Sequence, residues 1–250
     1  MHLRRHLEIS WGESGNASLE MLLFLPLALL FIFISTDTGL SFLERATIED
    51  LVRSTINEER VIQSEEAVIV LNRDNELEPR GDALRDLLSA LADELSARLT
   101  EAKGGLRDEF ADDFGLEVGA VAVNIDPETG ALGQSPSYQL VDRVLLPELG
   151  VENPEANSPE GNYVSRDQFI QAQLGKQTPN RFAIPQNLVY STTTSETPVL
   201  RYFEQTYALY AEVRTRANGI NRDYVKSVLG NFSSVQVQLL SPLRTQISGN

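Results

Sequence analysis

Residues 15–34 read GNASLEMLLFLPLALLFIFI, and this stretch decides how the rest of the chain is interpreted. Glu20 is its only charged residue, and the apolar run that follows continues unbroken to Ile34. With a few flanking residues the segment contains about 20 residues, which form a helix of roughly 30 Å, the thickness of a bilayer core. The sequence therefore predicts one transmembrane helix over residues 16–37.

Two interpretations of this segment compete: a secretory signal peptide that is removed, and a membrane helix that is retained. A signal peptide has a basic start, but here Glu8 and Glu13 offset the charge of Arg4 and Arg5. Residues 35–37 read Ser-Thr-Asp, which is unlike the small-residue site that follows a signal peptide. We therefore predict a retained helix, with its N-terminal side in the cytoplasm as the positive-inside rule requires.

Glu20 and Pro26 are unusual residues for such a helix. A carboxylate is expensive in lipid, so Glu20 is a functional candidate unless it only marks the membrane interface. Pro26 removes one backbone hydrogen bond and kinks or loosens the helix, although membrane helices also tolerate proline without a functional reason.

The spacing of Gly15, four residues and then Glu20 at the start of an apolar run resembles the prepilin processing site of type IV pilin-like proteins. The stretch GNASLEMLLFLP resembles the TadE family of the tight-adherence (Tad) pilus system, which has a proline six positions after the glutamate, as Pro26 is here. The residue after the glutamate is usually aromatic in that family, whereas this chain has Met21. The resemblance covers about 30 of the 250 residues.

The resemblance implies that a prepilin peptidase cuts between Gly15 and Asn16, so that residues 1–15 are a cytoplasmic leader. Glu20 would then pair with the N-terminal amine of a neighbouring subunit, because two charges that are expensive alone in lipid are tolerated as a pair. The implied protein is a pilin-like subunit of the bacterial inner membrane with a periplasmic domain, which could enter a surface pilus. Its implied partners are other pilin-like subunits, the peptidase, the inner-membrane assembly platform and membrane lipid.

The composition excludes several classes of function. The formal net charge is −15, and an acidic surface repels phosphate, so we expect no nucleic-acid partner. The chain has no cysteine, and its two histidines, His2 and His6, precede the apolar segment, which excludes disulfides and a histidine-dependent triad in the body of the protein. No glycine-rich phosphate loop or G-x-S-x-G motif occurs.

We therefore expect a protein that is not an enzyme and has no cofactor and no metal. Asp126 and Glu128 could be calcium ligands, but the spacing of an EF-hand is missing. The alternative hypothesis is a membrane-tethered periplasmic enzyme or ligand-binding domain with an uncleaved signal anchor, for which a pair of carboxylates could still act in hydrolysis.

The fold predicted for the chain is α+β. Apolar residues recur at helical spacing beyond the membrane segment, so residues 38–62 are predicted to form an amphipathic stem that continues the first helix. Residues 63–250 are predicted to form an extracytoplasmic α+β domain with a small antiparallel sheet packed on the stem.

Periodicity and turn residues predict the elements of this domain. The strands are expected at Ala67–Leu71, Leu116–Ile125, Thr206–Arg216 and Val235–Leu240, and the helices at Asp82–Ala102, Leu106–Phe114, Asn162–Leu174 and Asn221–Leu229. The alternative for Ala67–Leu71 is an extension of the stem helix. The proline-rich residues 147–198 are otherwise expected to be irregular loops.

Overall fold

The computed structural model of the chain describes residues 11–62, 68–72, 76–102, 114–132, 137–146, 164–176, 200–216 and 234–243. These residues form an α+β fold, as the sequence predicts. The helices are α1 (Trp11–Ile62), α2 (Gly81–Ala102) and α3 (Arg166–Gly175). The strands are β1 (Ile69–Leu71), β2 (Leu77–Pro79), β3 (Phe114–Asn124), β4 (Tyr138–Leu146), β5 (Gln205–Arg216) and β6 (Ser234–Pro242).

The four longer strands form one antiparallel sheet in the order β4–β3–β5–β6. The short strands β1 and β2 pair antiparallel with each other and form a separate ladder. The Tyr207 hydroxyl on β5 donates a hydrogen bond of 3.0 Å to the carbonyl oxygen of Leu77, so this ladder is tied to the main sheet.

One face of the sheet is covered by α2 and by the C-terminal part of α1. Alternation along the strands gives this face its apolar side chains, because residues two apart in a strand point the same way. Leucines of α2 recur every three or four residues and therefore share one face of that helix. The buried residues of this core include Ile48, Val52 and Ile56 of α1, Leu84, Leu88, Leu91 and Leu95 of α2, and Leu116, Val118, Leu209, Ala211, Val213 and Val237 of the sheet.

The helix α3 covers part of the opposite face. Ser165 caps its start in a capping box with Gln168, and Asp167 places a carboxylate in the first turn, where the helix dipole favours negative charge. Ile170 and Leu174 of α3 are buried in a second, smaller apolar cluster. The sheet therefore has a core on both faces, although the second core is smaller.

The strand β4 contains a bulge. The register of its pairing with β3 shifts between Ala120 and Val121, which leaves Val141 as an extra residue. Simple alternation would place Leu140 and Val144 on the same face, but the extra residue separates them. Val144 packs against the larger core and Leu140 against the smaller one.

Most of the elements predicted from sequence are confirmed where the structure describes them. The strands expected from residues 67, 116, 206 and 235 correspond to β1, β3, β5 and β6, and the helix expected from Asp82 is α2, which begins at Gly81. The helix expected from Asn162 is α3 and begins four residues later. Irregular loops were predicted on both sides of that helix, within residues 147–198. Residues 147–163 and 177–199 lie outside the described residues. The helix expected at 221–229 also lies outside them.

The sequence prediction was wrong or incomplete in three places. Phe114 begins β3 and does not end a helix, and residues 106–113 of that expected helix lie outside the described residues. The strands β2 and β4 were not predicted.

Gly130 occupies a position that only glycine suits. Its φ is +66°, and an added Cβ would lie 2.7 Å from the ring of Tyr202. We expect Gly130→Ala to destabilise the fold by about 2 kcal/mol, because a left-handed conformation and an overlap both become unfavourable. The melting temperature of the full chain in detergent, followed by circular dichroism, would fall by roughly 4–8 °C.

Gly175→Ala is the matched control for this prediction. Nothing lies within 4 Å of the Cβ that this substitution adds at the end of α3. Its melting temperature should stay close to that of the unmodified chain, and equal losses in the two variants would contradict the role given to Gly130.

Candidate functional site

The N-terminal half of α1 extends beyond the other residues that the structure describes. The helix has 52 residues, and its first residue that is buried in the described part of the chain is Ile48. None of residues 20–47 whose burial is described is buried. These 28 residues form a helical segment about 42 Å long, because each residue adds 1.5 Å.

This protruding segment exposes a large apolar surface. Met21, Leu22 and Phe24 are each more than 70% exposed, and most of the other large side chains up to Phe33 are also exposed. A continuous apolar surface of this kind marks a contact with lipid or with another protein. None of the residues that the structure describes covers it.

The described residues contain one helix that is long and apolar enough to cross a membrane, within Glu20–Glu58. A core helix of a soluble protein can be equally long and apolar, but its apolar residues would be buried. Here no residue of the most apolar stretch is buried. A signal sequence near the N-terminus can also be this long and apolar. The length and composition of the helix are therefore compatible with a membrane span but do not establish one.

The structure places all the site residues predicted from sequence on α1. Gly15 and Asn16 lie within the helix, Glu20 is exposed, and the helix continues through Pro26. Positions 16 and 20 are one turn apart on the same face, because residues four apart are neighbours on a helix. Glu20 has no ion pair or hydrogen bond with any other residue that the structure describes.

A second group of polar residues lies on the face of the sheet that carries α3. Glu117 of β3 and Glu212 of β5 are directly opposite each other in the antiparallel register, and both are buried. Like charges in this arrangement repel. Arg166 of α3 offsets one of them, with its Nη1 at 2.7 Å from Oε1 of Glu117, and Arg143 lies 3.9 Å from the same atom.

Glu212 is held by four donors. The hydroxyl of Tyr210 and Nε of Arg214 each donate to one of its carboxylate oxygens. The amide nitrogens of Gln236 and Gln238 donate over 2.8 Å and 3.3 Å. Burial, with the nearby Glu212 carboxylate, raises the pKa of the Tyr210 phenol far above its usual value, so this hydroxyl stays a donor.

The same glutamine side chains attach the start of α3 to the sheet. Their amide nitrogens also donate to the carbonyl oxygen of Val164, over 2.9 Å from Gln236 and 3.0 Å from Gln238. The backbone nitrogen of Val164 donates back to Oε1 of Gln236. The polar group therefore joins β5, β6 and the segment that precedes α3.

This arrangement acts as a structural tie between α3 and the sheet. A carboxylate-pair hydrolase needs carboxyl groups that are free to exchange protons with a substrate. Here both buried carboxylates are already occupied by arginine or amide donors. Among the described residues, no group of three or more His, Cys, Asp or Glu side chains could hold a metal ion.

Sequence reasoning did not identify the pair formed by Glu117 and Glu212. The available signal was a single acidic residue within each of the two strands. Only the register of the sheet shows that these two residues are opposite each other.

Comparisons with known proteins found no family model, no curated protein and no solved structure that matches this chain. The resemblance of residues 15–26 to TadE-like proteins therefore stays a prediction from the sequence.

Proposed function

We propose that this chain is a pilin-like subunit, a minor pilin or pseudopilin with a structural or assembly role, in a bacterial Tad-type IV pilus or a related secretion system. One observation carries the proposal. The exposed apolar half of α1 continues without a break into a half that packs on an antiparallel sheet. This combination suits a subunit that is first held in a membrane and then packed against other subunits by the same helix.

The polar residues at the start of the apolar segment support this role. Glu20 is exposed and unpaired among the described residues, and it begins the segment at the spacing from Gly15 that prepilin processing requires. Removal of residues 1–15 would leave 250 − 15 = 235 residues with a new amine at Asn16. In lipid, that amine and a carboxylate from another subunit would stabilise each other.

The proposal assigns no catalytic role to the domain. The buried glutamates of the sheet are engaged in holding α3, and the described part of the chain has no candidate metal cluster. The partners we propose are other pilin-like subunits, a prepilin peptidase, the assembly platform of the inner membrane, and lipid. The domain would lie in the periplasm.

Sequencing of the N-terminus of the mature chain tests the proposal. In a host with a prepilin peptidase, we expect the membrane-bound protein to begin at Asn16. Gly15→Leu should leave residues 1–15 attached, because a bulky side chain at the cut bond blocks access of the peptidase. Gly12→Leu, three residues upstream on the same helix, is the control and should be processed normally.

Two results would contradict the proposal. A mature chain that begins after about Thr36 would mean that the apolar segment is a removed signal peptide. A chain that inserts but keeps residues 1–15 in the presence of active peptidase would favour the uncleaved signal anchor.

A further inference from the structure

Two large apolar side chains are exposed beyond the predicted end of the membrane segment at residue 37. Phe42 and Leu43 are each 67% exposed, and the helix first packs on the sheet at Ile48. The described part of the domain therefore leaves both side chains uncovered. Something outside the described fold must cover them if they are not to face water.

The length of the helix indicates where this pair would lie relative to a bilayer. From Met21 to Leu43 the helix has 23 residues and measures about 34 Å. The hydrocarbon core of a bilayer is about 30 Å thick, and a modest tilt shortens the projected length of a helix. If Glu20 marks the cytoplasmic boundary, Phe42 and Leu43 reach the opposite boundary.

Two threonines between these limits are compatible with lipid. The hydroxyl of Thr36 donates to the carbonyl oxygen of Ile32 over 2.8 Å, and that of Thr38 to Ile34 over 2.7 Å. Both donors are satisfied within the helix, which is the condition for a polar group in a membrane. Neither threonine therefore ends the apolar segment.

The charged residues of the stem resume directly after the pair. Glu44 and Arg45 follow Leu43, and Glu49 forms an exposed ion pair with Arg53 one turn further on. Within Met21–Leu43, Asp37 is the only charged residue. It lies about 9 Å inside the outer limit, where the cost of a charge is lower than at the bilayer centre.

We propose that Phe42 and Leu43 lie in the outer interfacial layer of the bilayer, so that the lipid-covered part of α1 is Met21–Leu43 and not residues 16–37. Lipid is the occupant favoured here because the pair continues the exposed apolar surface of the same helix, at the distance from Glu20 that a bilayer sets. This inference rests on the membrane anchoring that the proposed function includes.

The absence of cysteine from the chain permits a direct test. Single variants Phe42→Cys and Leu43→Cys would be compared with Ala46→Cys and Glu49→Cys, whose positions are also exposed. The full chain would be reconstituted at a low protein-to-lipid ratio, with the domain outside, and treated with a charged maleimide that cannot cross the membrane. We expect positions 42 and 43 to react roughly tenfold more slowly than positions 46 and 49.

Quenching by nitroxide-labelled lipids separates lipid from protein as the cover. A fluorophore attached at position 42 should be quenched by nitroxides placed just below the headgroups, and one at position 49 should not. Protection without quenching, together with loss of protection as the chain is diluted in lipid, would mean that another subunit covers the pair and would overturn the inference. Equal labelling rates at all four positions would also overturn it.

Failure of the inference is distinguishable from failure of the proposed function. Resistance of the same samples to alkaline extraction reports whether the chain is inserted at all. An inserted Phe42→Cys chain whose thiol reacts as rapidly as that of Glu49→Cys overturns only the extended lipid contact. A chain that is extracted as a soluble protein overturns both.

Discussion

Replacement of Glu20 by Gln is expected to leave the chain inserted in the membrane but to prevent its assembly with other subunits. Glutamine has nearly the same shape and removes only the charge. In the assembled state, the amine of a neighbouring subunit would then be buried between packed helices without a partner, and breaking a buried ion pair in this way costs about 3–5 kcal/mol. That energy corresponds to a loss of assembly of roughly two to four orders of magnitude.

The measurement is the fraction of the chain in sheared surface filaments relative to the fraction in the membrane of the native host. Glu49→Gln is the matched control, because it removes the same charge from α1 at an exposed position whose ion pair with Arg53 is worth little. Equal assembly of the two variants would refute the pairing role of Glu20. Loss of the Glu20→Gln chain from the membrane would show instead that the carboxylate is needed for insertion.

Glu212→Ala is expected to lower the stability of the domain by about 3–5 kcal/mol. The substitution leaves Arg214 partly buried, removes the acceptor of the Tyr210 hydroxyl, and removes one of the two acceptors of the Gln236 amide nitrogen. Buried donors without an acceptor are costly because water cannot replace the lost bond. The melting temperature of the full chain in detergent should fall by roughly 6–20 °C.

Glu204→Ala is the control for this prediction. Glu204 directly precedes β5 and is exposed, so its side chain can be removed with little effect. A melting temperature of Glu212→Ala within a degree or two of this control would mean that the hydrogen bonds around Glu212 contribute nothing to stability. Glu212→Gln should give an intermediate loss, since an amide oxygen can still accept one of the hydrogen bonds.

The sequence predicts α1 and α2 well, because these helices carry long and regular apolar patterns. The leucines of α2 recur from Leu84 to Leu99, so a few deviations cannot hide the period. The apolar half of α1 is evident from composition, and its continuation to residue 62 follows from the spacing of Ile48, Val52 and Ile56. These features depend on local sequence.

The strand β4 could not be predicted in the same way. Its bulge at Val141 places Leu140 and Val144 on opposite faces, so the apolar residues do not follow a period of two. Asp142 and Arg143 in the middle of the strand further weaken the signal. The strand β2 has three residues and ends in Pro79, which gives no periodicity at all.

The two candidate sites also differ in whether they can be recognised from local sequence. The site formed by Gly15, Glu20 and Pro26 is local, so its spacing can be read from sequence. The pairing of Glu117 with Glu212 joins residues that are far apart in the chain, and it exists only through the register of β3 and β5. Sequence alone could not place those two carboxylates together.

The unbroken course of α1 has a mechanical consequence. A flexible linker would let a membrane anchor and a folded domain move independently, whereas a continuous helix makes them move as one rigid body. Between Glu20 and Ile48 the arm is about 42 Å long, so a change in tilt of about 20° would swing the sheet sideways by about 14 Å. If α1 is held in a membrane as proposed, any change in its tilt would therefore also move the domain.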